Sequence, residues 1–416
     1  MKKLTSTQVY FAMYALMLFV TPLLVTTTTE EGFEFPKMFF IYFIGITTQA
    51  YYIAKKIYET PNVEITPKRT NIPVASYVLI FITATLFSEH LYTSLFGYYS
   101  RFNGGLVSLL VFVGLFYIAK DKFNKSTMEK LFTLSTFTII PISIFAIYQY
   151  IVFPNIERVY STFGQPNWLA AYLATLLPFL FYKILVAKQS TKSQVVYSLI
   201  FILGYLALWL TFSISGLVGL VVGLGISMLL NSKELKQNKQ SVLLIASICL
   251  IISIMLPGLF KDKIKDIFID LRKVHAQTEN LQNNISDTGF IRLQIWKGTL
   301  ALVTANPKNF LIGTGPQTFP YTFQPFRPEE LNNSSEWDYI LNKPHNYILE
   351  VLAETGLIGL VSYMYILIYI VRKRSKEYTP CILALCVTNL FGWPTAYASL
   401  LFWMLFAGSE INNTKI

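Results

Sequence analysis

Apolar segments long enough to cross a lipid bilayer recur along almost the whole chain. The 416 residues are 53% hydrophobic and only 14% charged, well below the charged fraction of soluble domains. A bilayer core about 30 Å thick requires roughly 20 helical residues. Because hydrocarbon offers the backbone no hydrogen bonds, such segments span it as helices.

The apolar segments predict about 12 spans. Ten are long, at 8–28, 36–54, 71–87, 105–119, 131–153, 167–187, 195–211, 213–230, 241–257 and 346–371. Two shorter runs, 379–391 and 394–408, predict a final helix pair around the turn FGWP. The predicted fold is an all-α polytopic membrane protein with about 12 transmembrane helices and one large extracytoplasmic loop that contains amphipathic helices.

The distribution of Lys and Arg predicts the orientation. One alternate set of loops and termini contains 21 of the 34 basic residues, whereas the opposite short loops contain only Lys37, Arg101 and Arg158. Basic residues favour the cytoplasmic side. We therefore predict that both termini are cytoplasmic, and we attribute the net charge of +11 to topology rather than to a nucleic-acid partner.

Three regions follow from this topology. Residues 1–257 form transmembrane helices 1–9, residues 258–345 form the extracytoplasmic loop, and residues 346–416 form helices 10–12 and a cytoplasmic tail. Within the loop, 261–277 and 286–303 have the apolar periodicity of amphipathic helices, and we predict that both lie at the membrane interface.

The segment NPKNFLIGTGPQTFP, residues 306–320, is predicted to be loop or turn because of its glycines and prolines. Its GTG lacks the Lys-Ser/Thr of a phosphate-binding P-loop. A nucleotide site is not expected there.

Three arginines lie on the predicted outer face. Arg158 precedes the turn FGQPN, Arg101 lies in GYYSRFNGG, and Arg292 lies on the second amphipathic segment. A guanidinium matches phosphate with two parallel hydrogen bonds, and a helix N-terminus adds amide donors. The alternative is that these arginines reach lipid headgroups as interface anchors.

The stretch KPHNYILEVLAETGLIG, residues 343–359, places a histidine at the start of a long apolar helix. A continuous helix from His345 to Arg372 would be roughly 40 Å long. Asn342 is a plausible cap, and Pro344 suits the first turn. Such a helix exceeds the hydrocarbon thickness, so its first turns protrude or line a cavity.

Two hypotheses describe the role of His345. It either finishes the helix end with a hydrogen bond or acts as a general base, because neutral imidazole accepts a proton near neutral pH. In the second case activity falls below about pH 6.5, and Glu350 is the nearest group able to raise that midpoint. Glu354 is predicted near the hydrocarbon boundary or in a cavity, where an ionisable group indicates function.

Metal and serine-nucleophile chemistry are not indicated. His90, His275 and His345 have no metal-ligand spacing, and no G-x-S-x-G occurs.

Four motifs in this order carry a resemblance: GYYSRFNGG, RVYSTFGQPNWLAAYLATLLPF, RLQIWKG with NFLIGTG, and PHNYILEVLAETGLIG. The chain thereby resembles the O-antigen ligase and polymerase superfamily of bacterial envelope glycosyltransferases, over roughly residues 85–370. The resemblance implies transfer of a glycan from an undecaprenyl-diphosphate carrier to an acceptor hydroxyl, with inversion and without a metal or other cofactor. It also implies a role in envelope polysaccharide or lipopolysaccharide synthesis.

The resemblance also implies roles for individual residues. His345 would be the catalytic base, Arg158 and Arg292 would bind the diphosphate, and Arg101 matches a further outer arginine more loosely. The supporting residues would be Glu350, Glu354, Asn167 and Asn346.

The expected partners are the lipid-linked donor, a hydroxyl-bearing glycan or lipid acceptor, and membrane lipids, with the active site on the extracytoplasmic face of the inner membrane. Ligase, polymerase and protein O-oligosaccharyltransferase activities all remain open. A lipid-linked sugar transporter or flippase is the alternative from another class, but charged or broken helices at the midplane would be expected of it. The polar groups here concentrate at the outer rim, which favours surface chemistry.

Overall fold

The computed structural model describes residues 5–59, 72–153, 155–187, 191–256 and 288–411. The secondary-structure elements within these ranges are all helices. The α-helices are α1 Ser6–Val20, α2 Glu34–Glu59, α3 Ile72–Leu86, α4 Leu91–Phe96, α5 Leu106–Lys122, α6 Lys125–Thr136, α7 Ile139–Val152, α8 Pro166–Val186, α9 Lys192–Leu210, α10 Ile214–Leu230, α11 Ser232–Gln237, α12 Lys239–Met255, α13 Thr288–Thr304, α14 Pro307–Leu311, α15 Phe319–Thr322, α16 Tyr347–Lys373, α17 Thr379–Asn389 and α18 Ala396–Glu410.

The helices agree with a membrane protein. Within the described ranges, five helical segments are long and apolar enough to cross a bilayer: Ser6–Leu23, Lys125–Val152, Pro166–Val186, Lys192–Leu210 and Tyr347–Lys373. Four further apolar helices are shorter: α3, α10, α12 and α17. The all-helical class is thus confirmed, whereas the figure of twelve spans stays a prediction.

Ion pairs connect several segments that were predicted to lie on the cytoplasmic side. Lys125 pairs with Glu377 at 2.5 Å, Lys183 with Glu129 at 2.6 Å, and Lys376 with Glu234 at 2.8 Å. Each pair joins loops or helix ends that are distant in sequence. The segments that the Lys and Arg distribution predicts to share one side of the membrane therefore also contact one another in the structure.

Helix α8 forms the centre of the bundle. It packs against α9, α10 and α17, and most of its residues are buried. The approach of α10 depends on its glycines, because a Cβ at Gly219 would lie 2.6 Å from Thr388, and one at Gly223 would lie 2.7 Å from Pro178. Small residues permit such close packing of helices in membranes.

The described part of the predicted extracytoplasmic loop has a small core of its own. Helix α13 confirms the predicted second amphipathic helix, and its Ile291, Ile295 and Leu302 are buried against Phe319 and Phe323. These three apolar side chains are thus covered by protein, and the position of α13 at the membrane interface stays a prediction. The first predicted amphipathic segment, 261–277, lies outside the described residues.

Helix α16 is not continuous, contrary to the sequence prediction. Gly356 has φ 68° and ψ −174°, a conformation that interrupts the helix and that only glycine adopts without strain. The loop Gly313–Gly315 packs on this break: the amide of Thr314 donates to the backbone carbonyl of Ala353 at 3.0 Å, and the amide of Gly315 donates to the backbone carbonyl of Glu354 at 2.9 Å. The GTG segment therefore stabilises the break in α16 through these backbone hydrogen bonds.

We expect Gly356→Ala to destabilise the fold by at least ~1–3 kcal/mol, because the left-handed φ strains any side chain. The added Cβ would also lie 2.3 Å from the backbone of Leu311. Thermal unfolding of the detergent-purified protein measures the effect. Gly225→Ala is the matched control, since a Cβ there meets nothing within 4 Å; equal stability of both variants would contradict the prediction.

Candidate functional site

The four basic residues predicted from sequence come from four separate segments. Arg101 precedes α5, Arg158 lies between α7 and α8, Arg292 lies in α13, and His345 stands two residues before α16. All four side chains are half-buried. The structure connects them through shared aromatic neighbours, hydrogen bonds and mutual electrostatic effects.

Arg158 is fixed at the entry to α8 and α10. Its Nε donates to the carbonyl of Thr211 and its Nη2 donates to Oδ1 of Asn167, both at 2.9 Å. Asn167 Oδ1 also accepts from the Ser213 hydroxyl at 2.8 Å, and that hydroxyl caps α10 by accepting from the amide of Gly216. Asn167 thus positions the guanidinium and ties it to two helix N-termini.

Arg101 lies between two indole rings. Its guanidinium carbon is 5.2 Å from the ring centre of Trp168 and 5.5 Å from that of Trp393. Such contacts hold a cation through the electron-rich ring faces. Since Trp168 follows Asn167 in the first turn of α8, this cluster adjoins the Arg158 contacts.

His345 packs against the same indole. Its ring centre lies 5.0 Å from that of Trp393, with the planes at 71°. The histidine has φ 55°, in the left-handed region, and the next residue, Asn346, caps α16 by accepting from the amides of Ile348 and Leu349. The cap is therefore Asn346 rather than Asn342, and Pro344 precedes the helix, where its carbonyl accepts from Trp296 Nε1 at 3.0 Å.

Burial and nearby positive charge lower the pKa of His345 to about 4. Loss of hydration is the larger cause, followed by Arg292 and Arg101. The expected upward shift by Glu350 is wrong, because the groups that act on the imidazole are cations. Neutral imidazole is consequently maintained through the physiological pH range.

Burial also lowers the pKa of Arg158 and of Arg292, and the charge of Arg292 lowers that of Arg158 further. Two guanidinium groups that repel each other favour the binding of an anion. Both stay protonated near neutrality because arginine titrates far above that range.

The two predicted supporting glutamates contact a lysine instead of the histidine. Lys343 forms an ion pair with Glu350 and lies 3.6 Å from Glu354. Gln317 Nε2 donates to Glu350 at 3.3 Å.

A cleft of about 590 Å³ opens beside the site. Its walls include Arg101, Trp393, Lys343, Glu350 and Glu354. A second, mainly apolar cavity of about 610 Å³ shares some of its walls and extends among α3, α5, α16 and α18.

Sequence analysis missed Trp168, Trp393, Lys343 and Gln317. Trp393 was visible as part of the turn FGWP, which the predicted topology places on the same face as the arginines. Gln317 and Lys343 gave no signal, because their roles depend on how the loop folds over α16.

A comparison with protein families matches residues 199–364 to the family described as O-antigen ligase. The matched range contains Arg292 and His345, whereas Arg101 and Arg158 precede it. No curated protein matches the chain.

Proposed function

Because the match over residues 199–364 confirms that the chain resembles the O-antigen ligase and polymerase superfamily, we propose that the protein is a glycosyltransferase of the cell envelope. In this proposal it transfers a glycan from an undecaprenyl-diphosphate carrier to an acceptor hydroxyl. Reaction takes place on the extracytoplasmic face of the inner membrane. In the proposed topology residues 258–345 are extracytoplasmic and both termini are cytoplasmic.

The observation that carries the proposal is the convergence of separate segments on one cluster. Arg158 and Arg101 are held in place by Asn167 and by two indoles, and His345 packs on one of those indoles. A diphosphate requires fixed cations, and a hydroxyl nucleophile requires a base. The cluster supplies both.

In the proposed step, the neutral imidazole of His345 takes the proton of the acceptor hydroxyl. The hydroxyl oxygen attacks the anomeric carbon from the side opposite the diphosphate, the bond from that carbon to the diphosphate oxygen breaks, and the configuration inverts. Arg158 and Arg292 stabilise the charge that develops on the leaving diphosphate. Since these guanidinium groups perform the task of a cation, the step requires no metal.

The lowered pKa of His345 suits this role in one respect and limits it in another. The imidazole is available as a base at neutral pH, because it is unprotonated. However, an imidazole with a lowered pKa is a weaker base, so proton transfer from the acceptor hydroxyl to it is less favourable. Binding of the diphosphate beside it would add negative charge and raise the pKa of His345 in the complex.

A transfer assay with purified protein tests the function directly. We expect a synthetic undecaprenyl-diphosphate-linked glycan to be transferred to a hydroxyl-bearing glycan or lipid, with a β-linkage formed from an α-linked donor or the reverse. We expect the rate to be unchanged by EDTA. Retention of anomeric configuration, or activity lost to EDTA and restored by one metal, would contradict the proposed chemistry.

A further inference from the structure

Three buried carboxylates line the cleft beside the site. Glu34, Glu350 and Glu354 are 1%, 3% and 5% exposed, and they come from the start of α2 and from the first turns of α16. Each lines the same cleft as Trp393. The proposed transfer step uses none of them.

Each of these carboxylates has one oxygen that accepts no hydrogen bond from the described residues. These atoms are Oε1 of Glu34, Oε2 of Glu350 and Oε1 of Glu354, the last of which lies 3.6 Å from the Lys343 ammonium nitrogen, beyond hydrogen-bond distance. The other oxygen is engaged in two cases: Glu34 Oε2 accepts from the amide of Ala396 at 2.6 Å, and Glu350 Oε1 accepts from Gln317 and Lys343. Glu34 and Glu350 are therefore each held by one oxygen, while their second oxygens are buried without a donor among the described residues.

A buried acceptor without a donor is costly, by about 1–3 kcal/mol or more when it is charged. A ligand that brings several donors would remove this cost. The cleft also contains Lys343 and Arg101, so its carboxylate charge is largely balanced, and a ligand with neutral donors fits it better than a cation.

Sugar rings have these properties. Their hydroxyl groups donate hydrogen bonds to carboxylates, and their C–H faces pack on aromatic rings such as the indole of Trp393. Asn103 and Ser399 add further polar groups to the same walls. His345 contacts Trp393 from outside this set, so a sugar in the cleft would lie next to the proposed base.

We propose that this cleft is a sugar-binding subsite in which Glu34, Glu350 and Glu354 accept hydrogen bonds from the hydroxyl groups of one pyranose unit while Trp393 contacts its ring. The subsite rests on the proposed function, since its ligand is a sugar of the donor or of the acceptor. It holds that sugar beside His345. It shares Arg101 with the cation cluster, whereas Arg158 and Arg292, which bind the diphosphate in the proposed step, do not line it.

The test exchanges an acceptor for a donor without changing side-chain size. In Glu350→Gln and Glu34→Gln, the amide oxygen retains the existing contacts and the amide nitrogen takes the position of the free oxygen. We expect the KM of one glycan substrate to rise about 10- to 100-fold, as for loss of a hydrogen bond to a charged group, with kcat within a few-fold of wild type. Varying the donor and the acceptor separately identifies which substrate supplies the sugar.

Two further variants keep the test decisive. Ser399→Ala removes a cleft hydroxyl that makes no hydrogen bond within the described residues, so the fold is retained, and we expect a rise in the same KM of about 2- to 10-fold. Glu377→Gln removes a buried carboxylate beyond the far end of α16, where it pairs with Lys125, and we expect it to leave both KM values unchanged.

Unchanged KM values for both substrates in the Glu350, Glu34 and Ser399 variants would overturn the subsite. Titration of wild-type protein with undecaprenyl diphosphate, which carries no sugar, separates the two proposals. If wild type binds this lipid and transfers glycan while the cleft variants behave normally, only the subsite fails. If wild type neither binds it nor transfers glycan, the proposed function fails.

Discussion

His345→Ala is expected to reduce the rate of glycan transfer by about 10²- to 10⁴-fold, the usual contribution of a general base. Binding of the lipid donor is expected to stay near normal, because its diphosphate contacts lie on Arg158 and Arg292. The measurement is single-turnover transfer at saturating donor, together with a binding titration of the same variant.

His345→Asn separates catalysis from backbone geometry. His345 has φ 55°, and asparagine tolerates this left-handed conformation better than most residues do. Asparagine forms hydrogen bonds but accepts no proton near neutral pH, so we expect it to be as inactive as alanine. Near-normal transfer by His345→Asn would mean that the histidine only forms the turn before α16.

His90→Ala provides the matched control for these variants. His90 stacks on Tyr321, with ring centres 4.4 Å apart, and its ring bonds to Thr93. It is not part of the cluster around Trp393, so we expect its replacement to preserve transfer.

The pH profile of the wild type gives an independent readout of the same group. The base is the neutral imidazole, so the rate is lost as pH falls through its pKa and is level above it. Because burial, Arg292 and Arg101 lower that pKa to about 4, we expect kcat/KM, which reports the free protein, to be level from about pH 8 to about pH 5. A midpoint near the unperturbed value of about 6.5 would contradict the environment described for His345.

Arg158→Lys and Arg292→Lys are each expected to lose most transfer activity although the charge is retained. Arg158 donates from Nε to Thr211 and from Nη2 to Asn167, and a lysine nitrogen cannot keep both contacts and also grip a phosphate with two parallel bonds. Loss of one charge-assisted hydrogen bond is worth about 1.5–3 kcal/mol. This corresponds to a decrease of about 10- to 100-fold in kcat/KM for the donor.

The control for this pair is Arg372→Lys. Arg372 is an exposed arginine in the last turn of α16, at the opposite end from His345. We expect it to have wild-type kinetics. If Arg158→Lys and Arg292→Lys also transferred glycan at the wild-type rate, these arginines would be interface anchors rather than diphosphate ligands.

The position of several site residues could be predicted from sequence because local patterns encode it. Arg101 and Arg158 stand in short polar breaks between apolar segments, and His345 stands at the end of the long predicted outer loop. The charge bias therefore predicts that all three share one face. Helix α13 was predictable because the spacing of Ile291, Ile295 and Leu302 follows the helical repeat. The burial of these side chains could not be predicted, because their apolar partners Phe319 and Phe323 lie in a segment without sequence periodicity.

By itself, the sequence determined the membrane class and the helical content, because bilayer thickness and backbone hydrogen bonding leave few alternatives to apolar helices; the extracytoplasmic face of the polar residues stays a prediction. The tertiary structure decided which polar groups touch. The break at Gly356, the pairing of Glu350 and Glu354 with Lys343, and the position of Trp393 between Arg101 and His345 all depend on segments distant in sequence. It also decided the sign of the shift in the pKa of His345, because desolvation and neighbouring charge are properties of the folded surroundings rather than of spacing along the chain.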